Sequence, residues 1–233
     1  MADDFSRRGF LEAAGAAAVV GVVARAGAAQ AGESPQAGKI KILAVSCSSH
    51  AGKNTSTALK TCLDAAKAVA PNQIETELIE LAGLKINGLV AAGVELEPGE
   101  RDDFPSLVPK LTDPRVAGIV VGTPVYFSNM SSLCKAFLER CGEFRKKDYL
   151  WTNKLAGVVA VGGTRNGGQE LAAQSVAAAL FCQDMVVVGP GKPNSRFGAL
   201  LWAGKEGVAT DETGLAAAAS LGRRMAEIAR KMG

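Results

Sequence analysis

The chain contains one histidine, His50, and five cysteines (Cys47, Cys62, Cys134, Cys141, Cys182), no pair of which falls at metal-ligand spacing. A zinc centre or a thiolate-held cluster draws its ligands from closely spaced pairs or runs, so neither is expected. Five is also an odd count for a disulfide framework, and Cys62 and Cys141 fall on helix faces expected to be buried. The formal net charge is only +3, and no Lys/Arg-rich run offsets that low value, which excludes a nucleic-acid-binding surface. Internal repeats are absent. A P-loop is missing as well: Gly52-Lys53 is present, but Cys47 stands where the first glycine belongs and Asn54 where a hydroxyl should bind magnesium. The same turn has a single glycine, which excludes a dinucleotide fingerprint there.

Three strand–loop–helix units remain. The first is an apolar run, Ile40 to Val45, followed by Ser46-Cys47-Ser48-Ser49-His50-Ala51-Gly52-Lys53-Asn54-Thr55 and a helical pattern with Leu59, Cys62, Leu63, Ala66 and Val69 on one face. Free amides and the positive end of a helix dipole converge on such a turn, and Ser48, Asn54, Thr55 and Ser56 add side-chain donors. Two readings stand at this point: a site for a terminal monophosphate, or a capped strand–helix junction with no ligand. The second unit is Gly118-Ile119-Val120-Val121-Gly122, ending in Thr123-Pro124-Val125-Tyr126-Phe127-Ser128-Asn129 before a helix that buries Leu133, Phe137, Leu138 and Cys141. The third runs from Leu155 to Val161 and ends in Gly162-Gly163-Thr164-Arg165-Asn166-Gly167-Gly168-Gln169-Glu170, again before a helix. In an open α/β fold all three loops fall at the carboxyl edge of one parallel sheet, where ligands bind.

These motifs resemble the flavodoxin-like flavoproteins that include NADPH-dependent FMN reductases, iron-sulfur flavoproteins and tryptophan-repressor-binding-protein-like quinone reductases. Asn54-Thr55, Gly122 to Phe127 and Gly162 to Glu170 carry the likeness, which spans about residues 39 to 190. The resemblance implies FMN as cofactor. Its phosphate would be held by Ser48, Asn54 and Thr55, with Ser56 in the same turn and His50 in the family's arginine place. Pro124, Val125, Tyr126 and Phe127 would line the ring and ribityl chain, with Asn129 closing that loop, and Gly163, Thr164, Arg165 and Gly168 would cover the other side of the ring. Aromatic and small apolar groups stack on a flat ring, and glycines let backbone approach its heteroatoms. Iron-sulfur flavoproteins also carry a compact Cys-x-x-Cys-x-x-Cys run after the second strand. The stretch Leu84 to Gly93 has no cysteine, so no iron-sulfur cluster and no metal site is expected.

At the amino terminus, Ser6-Arg7-Arg8-Gly9-Phe10-Leu11 reads as a twin-arginine (Tat) export signature, followed by an apolar stretch from Ala13 to Ala24 and a small-x-small site at Ala29-Gln30-Ala31. The expected organisation is a signal peptide over 1–31, a linker over 32–38 and one FMN-binding domain over 39–233. Strands are predicted near 39–46, 73–80, 117–122, 155–161 and 184–188, giving a doubly wound α/β domain with a five-stranded parallel sheet and right-handed crossovers. The strand order 2-1-3-4-5 comes from the resemblance. Residues 88–106 read as an acidic connector, either solvated or reaching the flavin edge, and 189–209 as a long excursion before a last helix that starts near Asp211 and buries Leu221, Met225 and Ile228.

The function expected is an exported FMN-dependent oxidoreductase using NAD(P)H or another small-molecule donor, with a quinone or flavin as acceptor. No catalytic side chain is assigned, because the flavin carries the chemistry. The alternative is an electron carrier of flavodoxin type, without a small-molecule substrate. A periplasmic location follows from the leader, with the Tat translocase as a transient partner, and homo-oligomers follow from the resemblance.

Overall fold

The computed structural model describes residues 39–232; the expected leader and linker lie outside the described residues. Strands β1 (Ile40–Ser46), β3 (Val116–Tyr126) and β5 (Leu155–Gly162) are aliphatic and almost wholly buried, as central strands covered on both faces must be. They pair in parallel, with β2 (Ile74–Glu80) outside β1 and β6 (Val186–Val187) outside β5, giving the order β2-β1-β3-β5-β6. A two-residue strand β4 (Asn129–Met130) is a hairpin return on β3. Counted without that return, the order is the 2-1-3-4-5 expected.

Helices α1 (Asn54–Val69) and α6 (Glu212–Met232) pack on one face with Ile42, Ala44, Val120 and Val159. Helices α2 (Phe104–Leu111), α3 (Ser132–Arg140), α4 (Gly142–Lys146) and α5 (Gln169–Phe181) cover the other face with Leu43, Val45, Ile119 and Val121. The period-2 alternation of β1 thus serves two separate cores. Where α1 meets α6, a Cβ at Gly222 would be driven into the carbonyl oxygen of Cys62, so glycine sets how closely the two helices approach.

The expected excursion over 189–209 is only partly one. Its residues Ala199–Trp202 form a further strand, β7, parallel to Val159–Gly162. The fifth position in the sheet is therefore filled by two pieces, β6 beside Leu155–Ala156 and β7 beside Val159–Gly162, with 188–198 bulging out between them. Four residues rich in Leu carry no β signal of their own, and pairing with β5 decides their state. The last helix starts where expected and buries Leu221 and Met225 fully, with Ile228 half-buried.

The acidic connector 88–106 is docked at its two ends, while 92–101 between them is almost wholly exposed. Asp102 and Arg140 form a buried ion pair, the Arg140 guanidinium lies 4.6 Å from the centre of the Phe104 ring, and Asp103 accepts from the Lys85 amide at 2.7 Å. The short turn Gly88–Ala92 rests on α3, where Gly88 faces Ala136 and Glu139. At the opposite sheet edge, buried Lys41 pairs with Glu77 at 2.6 Å and Glu75 at 3.4 Å, while Lys110 and Arg115 reach the same two carboxylates. Charges thus line the outermost strand β2.

Candidate functional site

Three loops meet at the carboxyl edge of β1, β3 and β5. In the first, the Ser48 hydroxyl oxygen accepts from the His50 amide at 3.1 Å, closing a tight turn. Gly52 takes a left-handed φ of +67° and donates its amide to Glu80 Oε1 at 3.0 Å. Lys53 then enters α1 in extended conformation, with no side chain capping the helix and no acidic residue in its first turn. Glu80 thus takes one amide of the turn, while the first amides of α1 and the positive end of its dipole have no side-chain cap and no acidic residue in the first turn.

The second loop is a two-residue reversal. Tyr126 pairs with Asn129 and Val125 with Met130, while Phe127 and Ser128 hold φ of 47° and 60°. Such turns ordinarily use Asn-Gly, because positive φ at a side-chain-bearing residue costs on the order of 1 kcal/mol. Ser131 locks the first two loops together. Its hydroxyl donates to the Cys47 carbonyl at 2.8 Å and accepts from the Cys134 amide at 3.1 Å, and its own amide donates to Thr123 Oγ1 at 3.0 Å. Replacing Ser128 by Gly removes one strained position: Ser128→Gly is expected to raise the midpoint of thermal unfolding by a few degrees, read by calorimetry.

The third loop is held by Gln169, whose amide nitrogen donates to the Thr164 carbonyl at 2.7 Å and whose oxygen accepts from the Gly167 amide at 2.8 Å. Gly168 has φ +91°, and a Cβ there would stand 2.5 Å from Ser128, so glycine is what lets the second and third loops touch. Beyond them, Trp202 on β7 donates its indole N–H to the Gly163 carbonyl at 3.2 Å, and the Arg165 guanidinium lies 4.7 Å from its ring centre.

Together the loops enclose a cavity of about 390 Å³. Its polar lining comes from the first loop, Ser48, His50, Lys53, Asn54 and Thr55; the rest, Pro124, Val125 and Tyr126 from the second loop and Val161, Gly162, Gly163 and Ala203, is mostly apolar. No carboxylate lines it. An anion with a planar, largely apolar body suits both parts of the lining, and FMN is such a molecule.

Of the residues expected from sequence, Ser48, His50, Asn54, Thr55, Pro124, Val125, Tyr126 and Gly163 line this cavity. The others stand elsewhere. Ser56 is buried with its hydroxyl 3.2 Å from that of Ser46. Phe127 is fully exposed at the tip of the turn. Asn129 accepts from the neighbouring Met130 amide, the Thr164 carbonyl serves Gln169, Arg165 stacks on Trp202, and Gly168 marks the contact of the two loops. Sequence reasoning missed Val161, Ala203 and the part played by Trp202, which arrive from β5 and from the unforeseen β7. The one available signal was an aromatic residue closing a short apolar run after a Gly/Pro-rich stretch.

Asn54 has a second task. Its side-chain oxygen accepts from the Val208 amide at 3.0 Å, tying the turn Val208–Thr210 to the start of α1. Asn54→Ala leaves that amide without its partner and is expected to cost about 1–2 kcal/mol of stability, together with weaker FMN binding. Denaturant melts with and without FMN separate the two losses.

The cysteines take no part in the cavity. Burial pushes the Cys62 thiol up to about 12, and it pushes Cys47 and Cys141 well above the ordinary thiol range. Thiols held protonated are neither nucleophiles nor ready metal ligands. Among the described residues, no group of three or more His, Cys, Asp or Glu side chains is placed to hold a metal ion.

The model of the family described as NADPH-dependent FMN reductase matches residues 40–199. An iron-sulfur flavoprotein of Methanocaldococcus jannaschii is 32% identical over 195 residues, covering 82% of this chain and 98% of that protein. An NAD(P)H dehydrogenase (quinone) of Archaeoglobus fulgidus is 31% identical over 175 residues, covering 70% and 80% of the two chains. Among solved structures, a flavodoxin, WrbA-like protein from Agrobacterium tumefaciens superposes with a TM-score of 0.57 at 17% identity, covering 84% of this chain and all of that one. That last likeness is one of fold.

Proposed function

We propose a function from one premise: this chain belongs to the NADPH-dependent FMN reductase family. It is an FMN-dependent NAD(P)H oxidoreductase of flavodoxin-like α/β fold. The observation that carries the reading is the cavity itself, which joins the polar groups of the first loop and an α1 start without a side-chain cap to a mostly apolar stretch of lining, with no carboxylate among its lining residues. FMN, when bound, supplies the hydride-accepting and electron-delivering chemistry. The chain's own residues bind and orient. The α1 amides, Ser48, Thr55 and Lys53 hold the phosphate end, with His50 beside it. Pro124, Val125 and Tyr126 support one side of the ring, and the Gly162-Gly163 backbone approaches closely because neither residue has a side chain. None of these groups needs to move a proton.

The cluster implied by the iron-sulfur relatives does not fit this chain. Segment 84–93 lacks cysteine; of the buried thiols Cys47, Cys134 and Cys141 lie in one apolar core and Cys62 in the other, and among the described residues no group of three or more His, Cys, Asp or Glu is placed to hold a metal. The protein as we read it uses FMN alone. Export by the Tat route rests on Arg7-Arg8 and the apolar stretch behind them. Nicotinamide dinucleotides belong to the cytoplasm, so a periplasmic form takes electrons from a different small-molecule donor at the same cavity and passes them to a quinone or similar acceptor. A second copy of the chain would cover the exposed Tyr126 and Phe127 at the cavity mouth.

The test is the visible spectrum of the purified full-length protein, then anaerobic addition of NADPH. A flavin spectrum without iron that bleaches within seconds is the expected result. A flavin that ignores NADPH supports the electron carrier instead, and a protein that binds no FMN overturns both. For the compartment, fractionation of cells expressing the chain with Arg7→Lys and Arg8→Lys is expected to leave it in the cytoplasm.

A further inference from the structure

A second cavity, of about 450 Å³, opens between the 188–198 bulge and α6. It lies well away from the flavin loops. The middle of α6 packs at Gly157, where Leu221 and Met225 close on the strand, whereas the loops begin at Gly162. Five residues of strand put roughly 16 Å between the two levels.

Its lining is cationic: Lys192 from the bulge, Arg223 and Arg224 from α6, against a single carboxylate, Glu227. Among the described residues none of the three cations lies within ion-pair distance of a carboxylate. Three clustered positive charges repel one another, and the single carboxylate of Glu227 offsets only part of that charge. The arrangement is nonetheless built. Arg224 donates to the Gly189 carbonyl at 3.1 Å, and Gly191, at φ +75°, is the residue type that leaves room for it: a Cβ there would come 2.9 Å from the Arg224 side chain.

Ser220 supplies the second line of evidence. It is 2% exposed and lines the cavity, and its hydroxyl oxygen accepts from both Asn194 Nδ2 at 3.2 Å and Arg223 Nη2 at 3.1 Å. Both donors fill its lone pairs, and its own proton has no acceptor among the described residues. A buried hydroxyl satisfied as acceptor keeps its proton for an acceptor in the space it faces, and the cations around that space favour an anionic one. Ser195 offers a further hydroxyl on the bulge side.

We propose that this cavity is an anion site that takes a diphosphate-bearing ligand of nucleotide size. Lys192 and Arg223 contact the phosphates, the Ser220 hydroxyl donates to them, and Arg224 fixes the bulge over the site. A cavity of about 450 Å³ exceeds the needs of a lone inorganic ion and falls in the range of small-molecule sites. The net positive lining favours phosphate chemistry over neutral ligands. Glu227 sits at the rim as the one repulsive group, which makes its removal informative.

The experiment is calorimetric titration of the full-length protein with inorganic pyrophosphate and with ADP, saturating free FMN being present so that the flavin site is closed to both. Binding is expected to weaken about a hundredfold in the double variant Lys192→Gln/Arg223→Gln, which removes two charge-assisted contacts. It is expected to tighten several-fold in Glu227→Gln. Both substitutions lie on solvent-facing sides of their segments, and unchanged thermal unfolding without ligand reports an intact fold. Tighter binding of ADP than of pyrophosphate identifies a nucleotide, and equal binding identifies free diphosphate; either supports the site. No binding, or binding that the two variants leave unchanged, overturns it.

Discussion

Thr55→Asp is expected to abolish FMN binding while leaving the protein folded. Thr55 occupies the first turn of α1, lies among the polar residues lining the proposed flavin cavity and is 3% exposed. A carboxylate there stands at the positive end of the helix dipole, which stabilises it, so the apoprotein is expected to unfold at the same temperature or slightly higher. In the proposed site the phosphate of FMN would compete for the same dipole and the same amides. Two negative groups a few ångströms apart at a partly buried site repel by about 4 kcal/mol per unit charge. The affinity is therefore expected to fall by about a thousandfold or more. Titration followed by flavin fluorescence measures the loss, and a thermal melt of the apoprotein measures the fold. Retained tight binding would place the phosphate elsewhere and remove the main support for the site. Thr55→Val is the companion: it deletes the hydroxyl without adding charge, and a loss of about tenfold is expected.

Gly222→Ala carries the largest expected stability loss in the molecule. Helix propensity alone credits the change with about 1 kcal/mol of stabilisation. Packing opposes it more strongly. The added methyl meets the backbone carbonyl of Cys62, and a backbone atom cannot rotate away as a side chain can. Either α1 and α6 separate, opening the core around Leu59, Leu63, Leu221 and Met225, or the carbonyl tilts and loses its helical hydrogen bond. The net cost expected is roughly 3 kcal/mol, about 6–12 °C in the unfolding midpoint of a domain of this size. Ala216→Gly, at an exposed position on the same helix, is the control: it loses only the propensity term of about 1 kcal/mol. A midpoint raised by Gly222→Ala would show that the helices are not held at this distance.

How far the sequence foretold these features differs from element to element, for physical reasons. Strands β1, β3 and β5 could be read because burial on both faces leaves an unbroken aliphatic run, and each is followed by polar or glycine-rich residues that cannot continue it. Strand β7 could not. Ala-Leu-Leu-Trp is equally suited to a helix, and only its partner Val159–Gly162 makes it a strand. The turn at Phe127-Ser128 was hidden because neither residue is a left-handed former, so the hairpin exists through the β3–β4 pairing and Ser131 rather than local preference. The polar part of the cavity was legible in Ser48, Asn54 and Thr55, since a run of hydroxyl and amide side chains at a helix start has a local meaning. Ser56 was misplaced by the same reasoning. One residue further along the helix the hydroxyl turns inward to Ser46, a matter of helical phase that composition does not disclose. The tie from Asn54 to Val208 joins positions 154 residues apart and leaves no local trace.

The two margins of the sheet have a consequence for how the molecule behaves at high concentration. An outermost strand exposes a row of amide and carbonyl groups that a neighbouring chain can extend, the first step of aggregation. On one side that row belongs to β2, whose Glu75 and Glu77, with Lys41, Lys110 and Arg115 around them, would force an incoming strand to strip water from a dense array of charges. On the other side the row is cut in two: β6 offers two residues, β7 four, and the bulge between them breaks the register any added strand would need to follow. Joining β6 to β7 by deleting the bulge would give a continuous rim of apolar residues, and with it a chain prone to stacking edge to edge. The break in the fifth strand is thus expected to keep crowded molecules apart.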